Sequence, residues 1–272
     1  MKKCAITSII FSLLILGACN GGIGSTPATS PADNARGTIE FTTLDTTAIY
    51  AIDTLDKASP RLEARIALPF ATGGSVAAGN INASVIYAAF GLDSMAPSAA
   101  IATALTSAAN DYLDQRPHYL NEKSMQHSPA WFNFLLNIKG ATGTGLKGCI
   151  NYTINSESYS GGAHGDYAEI LLNFDPASGH EIRLCDIFVP NFEEPLSTAL
   201  IQALGRQLGA TTPEQINDKG YFNISELFPT ENFLLAADSI IFLYNPYEIA
   251  PYSTGETRIA LGYDELRGII KE

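Results

Sequence analysis

RLEARIALPFATGGSVAAGNINASVIYAAF, residues 61–90, changes its periodicity partway along. From Arg61 to Phe70 apolar and polar residues alternate, the pattern of a half-buried strand. From Asn80 to Phe90 the spacing lengthens, and Ile81, Val85, Ala88 and Ala89 fall on one helical face. A strand that hands over to a helix in this way is the first mark of a chain that mixes the two.

Outward from this stretch the mixture continues. TTAIYAID (46–53) alternates as a strand, and the Ala-rich run Pro97 to Leu113 reads as a helix that starts at Pro97 or Ser98. Strands are expected at 131–139, 147–156, 168–174 and 181–184, with DPASGH (175–180) as a turn by its Pro and Gly. Leu196, Leu200, Leu204 and Leu208 recur at i+4 and make an amphipathic helix that Gly209 can cap. Segments 233–236 and 239–244 read as a β-hairpin; the loop NPYEIAPYSTG (245–255), a strand at 257–261 and a short helix from Asp264 follow. Antiparallel runs with helices inserted between them give an α+β fold. The expected division is two subdomains, 39–160 and 161–272, each a mostly antiparallel sheet with helices packed on it.

The chain has 272 residues, 46% hydrophobic and 16% charged, enough to bury a sizeable core. Its net charge of −12 comes from 16 Lys and Arg against 28 Asp and Glu. A nucleic-acid partner needs a basic face, so this charge argues against one; a basic partner is allowed.

MKKCAITSIIFSLLILGAC (1–19) places Lys2 and Lys3 before an apolar run from Ala5 to Leu16, then Gly17 and Ala18. That is the layout of a secretory signal, and the run is too short to cross a bilayer as a helix. Leu16-Gly17-Ala18-Cys19 resembles the lipobox of bacterial lipoproteins, which implies removal of residues 1–18, acylation of Cys19 and attachment to a membrane through lipid. Loss of Lys2 and Lys3 takes the charge of the mature chain to −14. Residues 20–37 are rich in Gly, Ser, Thr and Pro, so 19–38 is read as a lipidated flexible tether. Asn20, where Gram-negative sorting uses Asp for inner-membrane retention, points to the outer membrane, facing the periplasm or the surface.

Of four cysteines, Cys4 leaves with the signal and Cys19 takes the lipid, so Cys149 and Cys185 meet an oxidising compartment. A disulfide between them is expected, contributing about 3–4 kcal/mol through chain entropy; two separate buried thiols are the alternative. The spacing does not fit zinc, and no cofactor or metal is expected.

SYSGGAHGDY (158–167) sets His164 among glycines with Asp166 close by. A structural corner held by a buried histidine and a binding rim both remain open, and Asp166 orienting the imidazole for catalysis is a third use. In NPYEIAPY, Pro246 and Pro251 stiffen a loop that presents Tyr247, Glu248 and Tyr252, tyrosine being enriched at interface hot spots. Gly143-Thr144-Gly145-Leu146-Lys147-Gly148 fits GxGxxG, but strand composition follows it, so it reads as a hairpin turn. His118, His127, His164 and His180 form no HExxH, and no GxSxG occurs.

The succession SYSGGAHGDY, NFDPASGHEIRLCDIF, a helix and FLYNPYEIAPYSTGETRIALGYDEL resembles the extracytoplasmic region of RsiV-type anti-sigma factors and the accessory region of PdaC-type peptidoglycan deacetylases. IALPFATGGSVAAGNINASVIYAAF is similar to the partner domain that precedes it there. The anti-sigma region binds lysozyme, and the deacetylases carry their chemistry in a separate domain with no counterpart among these residues. The resemblance therefore implies a binding module of the cell envelope, non-enzymatic, with a lysozyme-like protein as the best single partner and peptidoglycan as another. A hydrolase or deacetylase acting on the cell wall is the rival expectation.

Overall fold

The computed structural model describes residues 39–124 and 129–271. The signal, the tether, Cys19 and His127 lie outside them. Strands β1 (Phe41–Ala51), β2 (Arg61–Ala71), β3 (Phe134–Thr144), β4 (Ile150–Tyr159) and β5 (Asp166–Phe174) form one sheet in that order. Every pairing is antiparallel except β2 with β3, which is parallel from Leu62–Phe134 to Ala67–Lys139. A parallel neighbour needs a long crossover. Helices α1 (Val76–Phe90), α2 (Pro97–Leu113) and α3 (Arg116–Ser124) lie within it.

The alternation of 61–70 fixes the face these helices cover. Leu62, Ala64, Ile66 and Leu68 are buried and join Ile81, Val85, Ile101 and Leu105 in one core. Helix α1 begins four residues before its periodicity shows, because the Ser75 side chain accepts the Ala78 N–H at 3.1 Å. Gly91, at φ 65°, closes its other end.

The second sheet is antiparallel: β6 (Phe233–Leu235), β7 (Ser239–Tyr244) and β8 (Thr257–Gly262). The expected leucine helix is α5 (Glu193–Leu208), capped by Gly209 at φ 63°. Leu196, Leu200 and Leu204 pack with Phe242, Ile259 and Leu261 in a second core. The fold is α+β with two sheets, as the periodicities require.

The structure corrects three expectations. Strand 181–184 does not form: Glu181 makes one bridge to Phe174, and the chain then turns into the short helix α4 (Leu184–Ile187). Asp186 accepts the Arg183 N–H at 2.9 Å and Glu231 accepts the Leu184 N–H at 3.1 Å, which satisfies that helix start. Cys185 is thus on a helix, Cys149 sits in the turn just before β4, and no bond joins the two sulfurs. Cys149 is a buried thiol whose Sγ accepts from Asn151 Nδ2 at 3.8 Å, and burial pushes its pKa up. The division placed between 160 and 161 falls inside the β4–β5 hairpin, since β5 completes the first sheet.

Strand β5 is an edge, and asparagines cover it. Asn232 Oδ1 accepts the Leu171 N–H at 2.7 Å while its Nδ2 donates to Glu169 O at 2.9 Å. Asn245 Oδ1 accepts the Glu169 N–H at 2.8 Å. Asn173, 1% exposed, accepts from Asn151 Nδ2 and from the Leu235 N–H and donates to Phe233 O, at 2.8–2.9 Å. Asn232 and Asn245 supply to β5 the bonds a neighbouring strand would make, and Asn173 joins β5 to β6 of the second sheet. Gly145, in the GTGLKG turn between β3 and β4, comes so close to this seam that a Cβ would lie 2.0 Å from Leu235 O.

Candidate functional site

The β4–β5 hairpin and the loop after β7 converge. Gly161 and Gly162 turn the hairpin at φ 90° and 98°, conformations that a residue with a Cβ adopts only under strain. Tyr159 OH donates to Gly162 O at 3.0 Å across that turn. The turn leaves His164 exposed at the surface.

On the other side, Asn245 fixes the loop to β5, its N–H donates to a Glu248 carboxylate oxygen at 2.8 Å, and the Tyr247 N–H donates to Ala250 O at 2.8 Å. This turn forces Tyr247 to φ 72°, one of three non-glycine residues with positive φ among the described residues. The residue is 54% exposed. Tyr252 follows in a short 3-10 turn, Tyr252–Thr254.

The rings then meet. His164 stacks on Tyr252 with centroids 4.2 Å apart and an interplanar angle of 20°. Tyr167 meets the same ring edge-on at 5.7 Å, and Tyr247 lies 5.8 Å away. Tyr252 OH donates to Gly165 O at 2.9 Å, and His164 Nδ1 lies at 2.9 Å from the same oxygen. A carbonyl only accepts, so in this bond Nδ1 carries the proton. Crowding by the neighbouring protein raises the Tyr252 pKa, with Tyr167, Asp166 and Tyr247 adding to the effect, so the phenol stays protonated at neutral pH. On β8, Arg258 joins Glu169 of β5 and, at 2.9 Å, Glu256. Burial raises the Glu169 pKa, and Arg258 pulls it back.

Of the residues singled out in the sequence, His164, Tyr247 and Tyr252 come together. Glu248 does not join the rings: although it reaches solvent, packing around its carboxylate raises its pKa, and the Asn245 N–H opposes that rise. It lines a groove of about 370 Å³ with Phe222, Leu227, Phe228 and Tyr244. The sequence reading missed Tyr167 and Arg258, which looked like ordinary strand residues. It also missed Phe228, 77% exposed on the groove. His118 sits edge-on to Phe132 at 5.4 Å, and His180 lies 3.5 Å from Asp186. Among the described residues no group of three or more His, Cys, Asp or Glu is placed to hold a metal, and no helix is long and apolar enough to cross a membrane.

Residues 185–264 match DUF3298, a protein family of unknown function. That segment includes Tyr247 and Tyr252 and stops short of His164 and Tyr167. No curated protein matches the chain. A DUF3298-family protein from Pseudomonas aeruginosa, 16% identical over 85% of this chain and 95% of that one with a TM-score of 0.58, has the same fold. A crystal structure of a DUF3298-family member from Bacteroides fragilis is similar at 28% identity over 87% of this chain and 95% of that one, with a TM-score of 0.76. From α4 through the tyrosine loop to the last strand, the chain is therefore similar to DUF3298 proteins.

Proposed function

We propose that the protein is a lipid-anchored module of the cell envelope that binds a protein or cell-wall ligand through the rings of His164, Tyr247 and Tyr252. One observation carries this reading: an exposed histidine stacked on a tyrosine, flanked by a tyrosine held at positive φ with its ring in solvent. Rigid aromatic surface loses little entropy on binding, and backbone strain concentrates at functional positions. The lipobox-like Cys19 and the signal before it support the location. A lysozyme-like protein is the first ligand to test: the resemblance to RsiV-type regions favours it, and a basic protein is steered toward a chain of this charge.

The test presents the full chain to hen lysozyme on a sensor surface and, separately, to insoluble peptidoglycan in a pelleting assay. His164→Ala and Tyr247→Ala should each weaken capture of one ligand at least tenfold while the melting temperature stays in place. Wild-type binding by both variants would remove the rings from the interface. Hydrolysis or deacetylation of cell-wall material by the parent, lost in His164→Ala, would replace the binding module with an enzyme.

A further inference from the structure

Strand β1 is the opposite edge of the first sheet, and among the described residues no asparagines cover it. Its hydrogen-bond phase follows from the bonds at its two ends. Thr72 N–H donates to Glu40 O, and Ile52 N–H donates to Pro60 O. Both pairs belong to the register in which Phe41 faces Ala71. Even-numbered residues therefore bond to β2, and the N–H and C=O groups of the odd-numbered residues 41 to 51 point outward. No hydrogen bond reaches those outward groups from the described residues.

The strand also lacks the devices that guard an edge. It runs eleven residues with no proline and no lysine, and Asp45, ion-paired to Arg65 at 2.6 Å, is its one charge. Helix α2, which packs beside it, exposes Ser98, Ala102 and Thr106, and its only charged residue is Asp111, near its end. In a chain of net charge −12, this is a long surface with almost no charge. Charge depletion marks the centre of protein interfaces.

We propose that β1 pairs antiparallel with β1 of a second copy about a two-fold axis at Thr46, joining the two first sheets into one. This register sets Asp45 opposite Thr47, Thr43 opposite Ile49 and Phe41 opposite Ala51. All outward groups of both strands are paired in it. A shift that centres the axis on Asp45 would place the two carboxylates face to face, which is unfavourable. That register leaves no outward group of either strand unpaired and sets no like charges face to face, and on that ground the occupant is a second copy of the chain.

Sedimentation of the full chain in density-matched detergent should give twice the monomer mass. The dimer fraction should rise with salt, because the copies repel through their net charge while the interface is uncharged. Thr47→Pro removes an outward N–H that bonds nothing within the monomer, and Ile49→Lys charges a side chain that is 59% exposed. Both variants should be monomeric with unchanged circular dichroism. Thr46→Cys should yield a peptide linked 46 to 46, since facing Cα atoms of such a pair lie about 4.5 Å apart, within disulfide reach. A monomer at high micromolar concentration and all salt levels would overturn the proposal. So would a dimer that survives both edge variants, or a cross-link that forms at Asp45→Cys and not at Thr46→Cys. Ring-site binding is read separately, so either reading can fail alone.

Discussion

Tyr247 occupies a backbone conformation that disfavours a side chain, and it points its ring at solvent. Tyr247→Gly should therefore stabilise the protein by about 1 kcal/mol, less the entropy glycine adds to the unfolded chain, while it abolishes ring-site binding. Urea denaturation paired with the binding assay reads both; lost stability with intact binding would make the tyrosine structural. The glycines around His164 signal a turn, and the turn forms, but the expectation of a buried histidine fails: the ring is exposed and stacks on Tyr252. Tyr167 was not legible. A tyrosine in a strand reads as sheet packing, and only the fold brings the residue 252 ring, far along the chain, to its edge.

Among elements, the periodic ones were legible and the joints were not. The leucine repeat of α5 and the alternation of β2 specify burial directly, so their positions follow from spacing. The asparagine seam has no such signal, because Asn151, Asn173, Asn232 and Asn245 read as solvent-facing polar residues. In the structure Asn173 is buried and holds backbone groups of β6. Asn173→Ala strands the Leu235 N–H and the Phe233 C=O and should cost about 3 kcal/mol, at 1–3 kcal/mol per buried group left unpaired. Urea unfolding should show it as a lower midpoint at unchanged slope. A loss below half that size would mean water replaces the amide. Residues 181–184 failed for a related reason: EIRL alternates like a strand, but capping by Asp186 and Glu231 draws it into α4.

For the molecule as a whole, stability against pH is a contest between carboxylates. Burial raises the pKa of Glu231 above the ordinary glutamate value of about 4.3, although the Leu184 N–H and Arg183 oppose it. A raised folded-state pKa means that its contribution is full below that ordinary value and is lost as pH rises through the folded one. Asp45, Asp56 and Asp175, lowered by bonds to Arg65, Lys123 and Ser178, act the other way: their contribution is lost as pH falls. Glu231→Gln keeps an acceptor for Leu184 and removes the charge. Its melting temperature should exceed that of the parent at pH 7, and the gap should close as pH falls toward 4. A gap that is constant with pH would refute the assignment. At this scale the α+β class and the two sheets were legible from the order of periods. The parallel joint of β2 and β3 was not, because it links segments more than sixty positions apart and depends on three helices between them.

That joint also sets a timetable. β1 with β2, and β3 with β4 and β5, are neighbours along the chain and can zip locally, whereas β2 can meet β3 only once the crossover has collapsed over them. Loop closure over that span comes before any contact rewards it, so the refolding rate should be paced by this meeting and not by the hairpins. Ile66→Val, in the joint, should slow refolding in stopped-flow experiments, and Ile259→Val, in the second sheet, should chiefly hasten unfolding. Until the two halves of the first sheet join, β2 and β3 both offer bare edges, and the nascent chain is most prone to associate wrongly in that interval.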